Sequence, residues 1–179
     1  MTSLVTQNVD RLHQRAGSRR VIDLHGRLDR VVCLGCAVTL ERASIQEAME
    51  RANPRFACCG AQLAPDGDAD LENCEGFEPP ACPACGGILK PDVVFFGDGV
   101  PRTRVEAAFA GLREADAVLV VGSSLMTYSG YRFCDRAREW GKPIVAINRG
   151  RTRADTLLQF KVDDDCAPAL SALARELSC

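Results

Sequence analysis

The chain has 179 residues, 46% of them hydrophobic, with a net charge of −2 and a pI near 5.7. That is one domain's worth of chain with enough apolar content for a packed core rather than disorder. The acidic balance argues against non-specific binding to nucleic acid or an anionic membrane surface, and no apolar run is long enough to span a bilayer.

At the N-terminus, Leu4-Val5 reads as the end of a buried strand that runs into the polar row Thr6-Gln7-Asn8-Val9-Asp10. Gln7, Asn8 and Asp10 then lie at a strand's carboxyl end, where open α/β sheets bind ligands. Their amides suit a ribose or a carboxamide, and the carboxylate can accept from an amide NH₂. Turn chemistry explains the same residue types equally well, since Asn and Asp favour strand-to-loop transitions. His13 reads as a helix-face or packing residue. His25 follows the apolar run Val21-Ile22-Asp23-Leu24 and precedes Gly26. An imidazole there suits general-base work, with the glycine letting a substrate approach; a hydrogen-bonded structural histidine is the competing reading.

Residues 33–85 change texture, becoming rich in Cys, Gly, Pro and acidic residues. Seven of the ten cysteines fall there. Cys33 and Cys36, and Cys82 and Cys85, form two CxxC knuckles. Each can present two thiolates to one ion, and four in tetrahedral array suit a structural Zn²⁺ with no open coordination position. A redox CxxC or plain buried cysteines is the alternative. Cys58, Cys59 and Cys74 are surplus to the site. Ser44 and Glu47 have capping-box spacing before Ile45, Ala48, Met49 and Ala52, which predicts a short helix. Asp66, Asp68 and Asp70 mimic the start of a calcium loop, but Leu71 and Phe77 stand where that loop needs Gly and Glu, so an acidic solvated loop is expected.

The C-terminal part alternates strand-length apolar runs with helical patterns. Residues 92–97, 117–122, 143–148 and 157–162 are strand candidates, the second and third apolar enough for burial on both faces. Thr103 and Glu106 have capping-box spacing ahead of Val105, Ala108, Phe109 and Leu112. Phe133, Ala137 and Trp140 mark a second helix stopped by Gly141 and Pro143. Leu170, Leu173, Ala174 and Leu177 predict a closing helix. The alternation implies a Rossmann-like parallel sheet. Gly122, Ser123 and Ser124 end one strand and Asn148 ends the next, two rims suited to a phosphate or ribose. The expected organisation is an α/β chain: a Rossmann-like domain formed by 1–32 and 86–179, and a four-cysteine zinc-binding insertion formed by 33–85.

Together the TQNVD row with Leu12, His13 and Gly17, the Leu24–Gly26 triplet, both CxxC pairs, Lys90–Asp98, Gly122–Leu125 and Asn148 resemble the sirtuins, the NAD-dependent protein deacylases. Residues 63–68, 93–98 and 128–133 look most like that family's class II branch. The resemblance implies that His25 is the general base, that Asn8 positions ribose or water, and that Asp10 holds the nicotinamide carboxamide. It places Gln7 and Val9 along the cofactor, and Gly122, Ser123, Ser124, Asn148, Arg149, Gly150 and Cys166 along its adenosine side. Val93, Val94 and Phe95 would border an acyl-lysine tunnel, with an extended peptide pairing to the backbone. The implied chemistry begins with attack of the acyl-lysine carbonyl oxygen on C1′ of the nicotinamide ribose, releasing nicotinamide. The base then helps a ribose hydroxyl attack the alkylimidate, giving free lysine and O-acyl-ADP-ribose.

The cofactors implied are NAD and one structural zinc ion. The partner implied is an acyl-lysine protein or peptide, with no direct nucleic-acid or membrane contact. The lack of a secretory signal points to the cytoplasm, or to the mitochondrial matrix for a eukaryotic parent. Sirtuins also carry a GAG-I-S-type loop and a P-D-F/Y-R segment ahead of the TQN strand, where this sequence has only Met1, Thr2 and Ser3. The sheet is therefore expected to be incomplete at its N-terminal part, and the 179 residues alone to bind NAD weakly and to show little or no deacylase activity. A catalytically silent zinc-bearing peptide-binding module and a mono-ADP-ribosyltransferase using the same cleft are the alternative functions.

Overall fold

A computed structural model describes residues 2–56, 62–63, 69–70 and 74–177. In chain order the elements begin with β1 (Leu4–Thr6), the single turn α1 (Leu12–Arg15), β2 (Val21–Asp23) and β3 (Gly26–Cys33). β4 (Thr39–Glu41), α2 (Arg42–Ala52), β5 (Gln62–Leu63), β6 (Ala69–Asp70) and β7 (Leu89–Val93) follow. The rest is α3 (Arg102–Glu114), β8 (Val118–Val121), α4 (Tyr128–Glu139), β9 (Ile144–Ile147), β10 (Phe160–Val162) and α5 (Cys166–Leu177). The adjacent Cys58-Cys59 pair and most of the acidic calcium-like stretch lie outside the described residues.

The elements group into two compact units. One comprises Met1–Gln7, His13–Leu24 and Gly97–Cys179, the other Asn8–Leu12 and His25–Phe96. The first is α/β with parallel sheets, as its alternating pattern predicts. β8, β9 and β10 form a parallel sheet in the order β10-β9-β8, and β1 pairs parallel with β2. Its core is built from Leu112 of α3, Val120 of β8, Cys134 and Ala137 of α4, and Ile144 and Ala146 of β9, with Phe109, Phe133 and Trp140 packed against it. Burial pushes the Cys134 thiol up to about 11, so it sits there as a small apolar side chain. α4 ends where Gly141 adopts φ +66 and donates to Arg138, while Lys142 N–H donates to Ala137. This left-handed closure is what the Gly141–Pro143 signal predicts. β9 buries Ile144, Ala146 and Ile147 and half-buries Val145, whereas β8 buries Val120 and leaves Leu119 and Val121 exposed. β9 thus comes close to the expected two covered faces and β8 does not.

The second unit is an antiparallel sheet, β4-β3-β7, carrying α2 and the two knuckles. β7 corrects two expectations. The strand expected at 92–97 ends at Val93 and begins at Leu89, and it pairs antiparallel with β3 instead of joining the parallel sheet. Pro91 lies within it, opposite Val31. The ladder tolerates a residue without an N–H because β7 is an edge strand. Beyond it Phe96 is fully exposed and Gly97 turns at φ +90, and the strand ends three apolar residues early.

Neither capping box forms. α2 starts at Arg42, so the Ser44 hydroxyl donates back to the Glu41 carbonyl at 2.9 Å. α3 starts at Arg102 after Pro101, and Glu106 accepts from Arg102 Nε at 2.7 Å. In both helices the first turn begins before the predicted cap, and local pairing uses the side chains.

Candidate functional site

The sulfur cluster follows from two turns held by backbone hydrogen bonds. Ala37 N–H closes onto Cys33 O at 3.0 Å, and Gly86 N–H onto Cys82 O at 2.8 Å. The turns are laced together by Leu34 N–H to Ile88 O at 2.9 Å. The four sulfurs of Cys33, Cys36, Cys82 and Cys85 lie within 4.8 Å of one another. Cys33 and Cys85 are 3.5 Å apart and Cys36 and Cys82 3.8 Å. Zinc–sulfur bonds of about 2.3 Å in a tetrahedron require edges of about 3.8 Å, so the cluster fits one Zn²⁺ and four thiolates. The backbone N–H of Cys36, aided by that of Gly35, favours the Cys33 thiolate, while, against the Gly87 N–H, the neighbouring Cys33 and Cys36 sulfurs push the Cys85 thiol up to about 12; a bound cation displaces the protons that such a cluster otherwise holds. Gly87 packs against the cluster; a Cβ there would stand 3.0 Å from Cys33 Sγ and 3.2 Å from Cys85 Sγ. Cys74 is exposed and belongs to no group of metal ligands among the described residues.

β3 carries more than the first knuckle. At its opposite end three sequence-predicted groups meet within one unit. His25 immediately precedes the strand, and its carbonyl accepts from Val94 N–H at 2.9 Å. Gly26 is in register with Val93. The polar row is tied to the same end, because Leu28 N–H donates to Val9 O at 3.0 Å. Asp10 stays exposed with Oδ1 accepting from Leu12 N–H at 3.0 Å, and Asn8 is exposed beside it. Two residues that pattern alone does not single out hold this geometry. Arg11 adopts φ +64 and reaches Asp29 of β3 at 3.6 Å, while Arg27 grips the same carboxylate through two hydrogen bonds of 2.6 and 2.5 Å. Arg27 foremost, with Arg11, keeps the Asp29 carboxyl below the usual range. Phe95 lies past the end of β7 with the Lys90 ammonium 4.3 Å above its ring.

The other unit carries the remaining candidates on strand ends. Gln7, just past β1, donates to the Thr127 hydroxyl at 3.0 Å and accepts from Ser123 Oγ at 3.2 Å. It thereby ties the end of β1 to the end of β8 and to the start of α4. Gly130 on α4 makes room for that carboxamide, since a Cβ there would approach it to 3.0 Å. A cavity of about 210 Å³ is lined by Val5, Gln7, Leu112, Val120, Ser123 and Gly130, among others. Gly122 takes φ +59 and donates to Ile147 O at 3.0 Å, and the Cys166 thiol donates to the same carbonyl at 3.4 Å. Ser124 is exposed and its carbonyl accepts from Arg153 N–H at 2.9 Å. Asn148 is buried, with Nδ2 donating to Arg149 O at 2.9 Å, and Arg149 pairs with Asp165 at 3.1 Å. Thus Gly122, Ser123, Asn148, Arg149, Gly150 and Cys166 gather at the carboxyl ends of two adjacent parallel strands, the usual ligand rim of such sheets.

The sequence model of the Sir2 family matches residues 1–129. The chain belongs to the Sir2 family. An NAD-dependent protein deacetylase of Xanthomonas campestris pv. campestris is 63% identical over 172 residues, covering 95% of this chain and 59% of that protein. One from Bordetella bronchiseptica is 60% identical over 170 residues, covering 94% and 62%. Among solved structures, a Sir2–p53 peptide–NAD⁺ complex superposes with a TM-score of 0.75 at 26% identity, over 98% of this chain and 63% of that one. A Sir2 enzyme at 30% identity gives 0.74, over 98% and 61%. The chain therefore spans about three fifths of the length of the curated Sir2 relatives it matches. Among the described residues no helix is long and apolar enough to cross a membrane.

Proposed function

We propose that the chain works in an NAD-dependent protein lysine deacylase that transfers the acyl group from lysine to ADP-ribose with release of nicotinamide. The observation that carries this is the meeting, at one end of β3, of the His25 backbone, the Asn8–Asp10 row and Val93–Phe95. A base, a set of carboxamide-binding groups and an edge strand able to pair with an extended peptide are what that transfer requires within one site. The Sir2 relatives named as deacetylases and the peptide-bound Sir2 structure support the same substrate class.

In this reading His25 accepts a proton from the attacking ribose hydroxyl, Asn8 orients ribose or water, and Asp10 accepts from the nicotinamide carboxamide. Val9 contributes backbone along the cofactor. Val93, Val94 and Phe95 flank the acyl-lysine. Gln7, Gly122, Ser123, Ser124, Asn148, Arg149, Gly150 and Cys166 serve the ribose and adenosine side of the NAD. NAD supplies the electrophilic ribose carbon; the zinc, closed by four sulfurs, holds the fold and touches no substrate. Residues 33–85 carry the zinc-binding insertion, and the parallel-sheet unit of Met1–Gln7, His13–Leu24 and Gly97–Cys179 contributes the nucleotide-binding half. Cysteines gathered into a metal-ligand cluster suit a reducing compartment, and the cytoplasm is the compartment of this reading.

Calorimetric titration with NAD, on the complete polypeptide, tests the role given to Asp10. Asn at this position keeps an oxygen for Leu12 N–H but offers the carboxamide no charge. Asp10→Asn is expected to weaken NAD binding by about tenfold, the worth of one charge-assisted hydrogen bond, while leaving ADP-ribose binding unchanged. Equal weakening of both ligands, or of neither, contradicts the role. Peptide binding that ignores NAD altogether would favour a catalytically silent module instead.

A further inference from the structure

The turn after β9 is fastened in a way the reaction chemistry does not require. Gly150 sits at φ +73. Its N–H donates to Asp163 Oδ1 at 2.9 Å. Its carbonyl accepts from the Lys161 ammonium and, at 3.4 Å, from Asn148 Nδ2. The neighbouring Asn148 N–H donates to Val162 O at 3.0 Å. Both peptide groups of a residue without a side chain are thus bound by charged side chains from one short strand segment. Lys161 is only 18% exposed, and its ammonium is shared with Asp155 at 3.4 Å. Asp155 in turn accepts from the Thr152 hydroxyl at 2.6 Å and the Thr152 N–H at 3.1 Å. The hydrogen bond from Thr152, with the Lys161 charge, keeps the Asp155 carboxyl below its usual range.

We infer that Lys161 and Asp163 are positioning residues that pre-set the Asn148–Gly150 turn for the adenosine half of the dinucleotide. This inference rests on reading this unit as the nucleotide-binding half of a deacylase. A glycine at positive φ loses more conformational freedom on ordering than any other residue. A turn left to order itself around the ligand would charge that entropy to binding, and one already locked does not. The Lys161 ammonium is engaged by a carbonyl and a carboxylate, so it acts on the turn rather than as a phosphate ligand. The consequence is specific: losing the clamp should raise the NAD requirement and spare the chemical step, because no reacting atom is involved.

The test compares Lys161→Met and Asp163→Ala with Lys161→Arg and Asp163→Asn in the complete polypeptide. Steady-state kinetics and titration with ADP-ribose are the readouts. The first two variants should raise KM for NAD and Kd for ADP-ribose by about tenfold, with kcat and KM for the acyl peptide within about twofold. The two conservative variants, which keep a cation or an acceptor oxygen, should recover most of the affinity. Lys142→Met serves as the control, because Lys142 caps the end of α3 through the carbonyls of Arg113 and Ala115. It should lower the melting temperature without moving KM for NAD. Folded Lys161→Met and Asp163→Ala proteins with unchanged ADP-ribose affinity, beside a wild type that binds it, would overturn the clamp alone. So would a fall in kcat at constant KM, or an equal rise in KM from Lys142→Met. A wild type that does not bind ADP-ribose would overturn the reading of this unit and the clamp with it.

Discussion

Replacing His25 with alanine is expected to reduce deacylation at saturating NAD and peptide by about 10²–10⁴-fold, the usual worth of a positioned general base. The fold should survive the change. At position 25 the backbone carbonyl pairs with Val94, between the fully buried Leu24 and a Gly26 held at φ +92. Alanine keeps that backbone pairing and removes the imidazole. In the proposed reaction the base acts after nicotinamide has left, so the two halves of the reaction should separate. Exchange of labelled nicotinamide into NAD, driven by acyl peptide, should persist in His25→Ala while O-acyl-ADP-ribose formation fails. Parallel loss of both, with an unchanged melting curve, would show that His25 acts in binding; unimpaired turnover would remove it from the reaction.

The second large effect is expected on removing the zinc. In the unit that contains β3 and β7, the buried apolar side chains among the described residues are Val31, Ile45, Cys33 and Cys82. Two of these four are metal ligands. A core that small does not hold a sheet on burial alone. Metal binding at such a site supplies about 10–16 kcal/mol of apparent free energy, which is folding free energy. Chelation under reducing conditions should therefore release one zinc per chain, expose four reactive thiols and unfold this unit, taking His25 and Val93–Phe95 with it. The parallel-sheet unit, with its separate core around Ile144 and Ala137, should keep its structure. Cys82→Ala should behave like the chelated protein. Gly87→Ala should retain zinc more weakly, because its methyl presses on Cys33 and Cys85. Amide exchange resolved by residue, together with zinc content by mass spectrometry, reads all of these. A metal-free protein with both units protected and full activity would refute the structural role.

Much of this was legible from sequence because the chemistry repeats in short, rigid patterns. A CxxC turn brings its sulfurs together whatever surrounds it, and both knuckles close on one point. Strands β8 and β9 are runs of Val, Ile, Leu and Ala bounded by Ala-Asp and Gly-Ser or Lys-Pro and Asn-Arg, so their ends and rim residues could be located within one residue. β7 was misplaced because Val93-Val94-Phe95-Phe96 is a strong β signal. Its pairing is decided instead by β3, which accepts Lys90-Pro91 on its outer side and leaves Phe96 to solvent. The capping boxes failed for a related reason: spacing shows that a cap can form, not that the helix waits for it. The clamp of Lys161, Asp163 and Asp155 and the Arg11–Asp29–Arg27 cluster gave no usable signal. Their partners are backbone atoms, or charged residues nearby in the chain whose spacing matches no helix or turn pattern, and a charged residue near a strand reads as surface until its hydrogen bonds are known.

The fate of the acyl group tests the central claim most directly. The complete polypeptide is incubated with NAD and a peptide whose lysine carries an isotopically labelled acetyl group, and all products are weighed by mass spectrometry. The account predicts free lysine in the peptide, one nicotinamide per lysine, and the labelled acetyl group on ADP-ribose. Labelled acetate released while NAD stays intact, or ADP-ribose attached to a peptide that keeps its acetyl group, would contradict it.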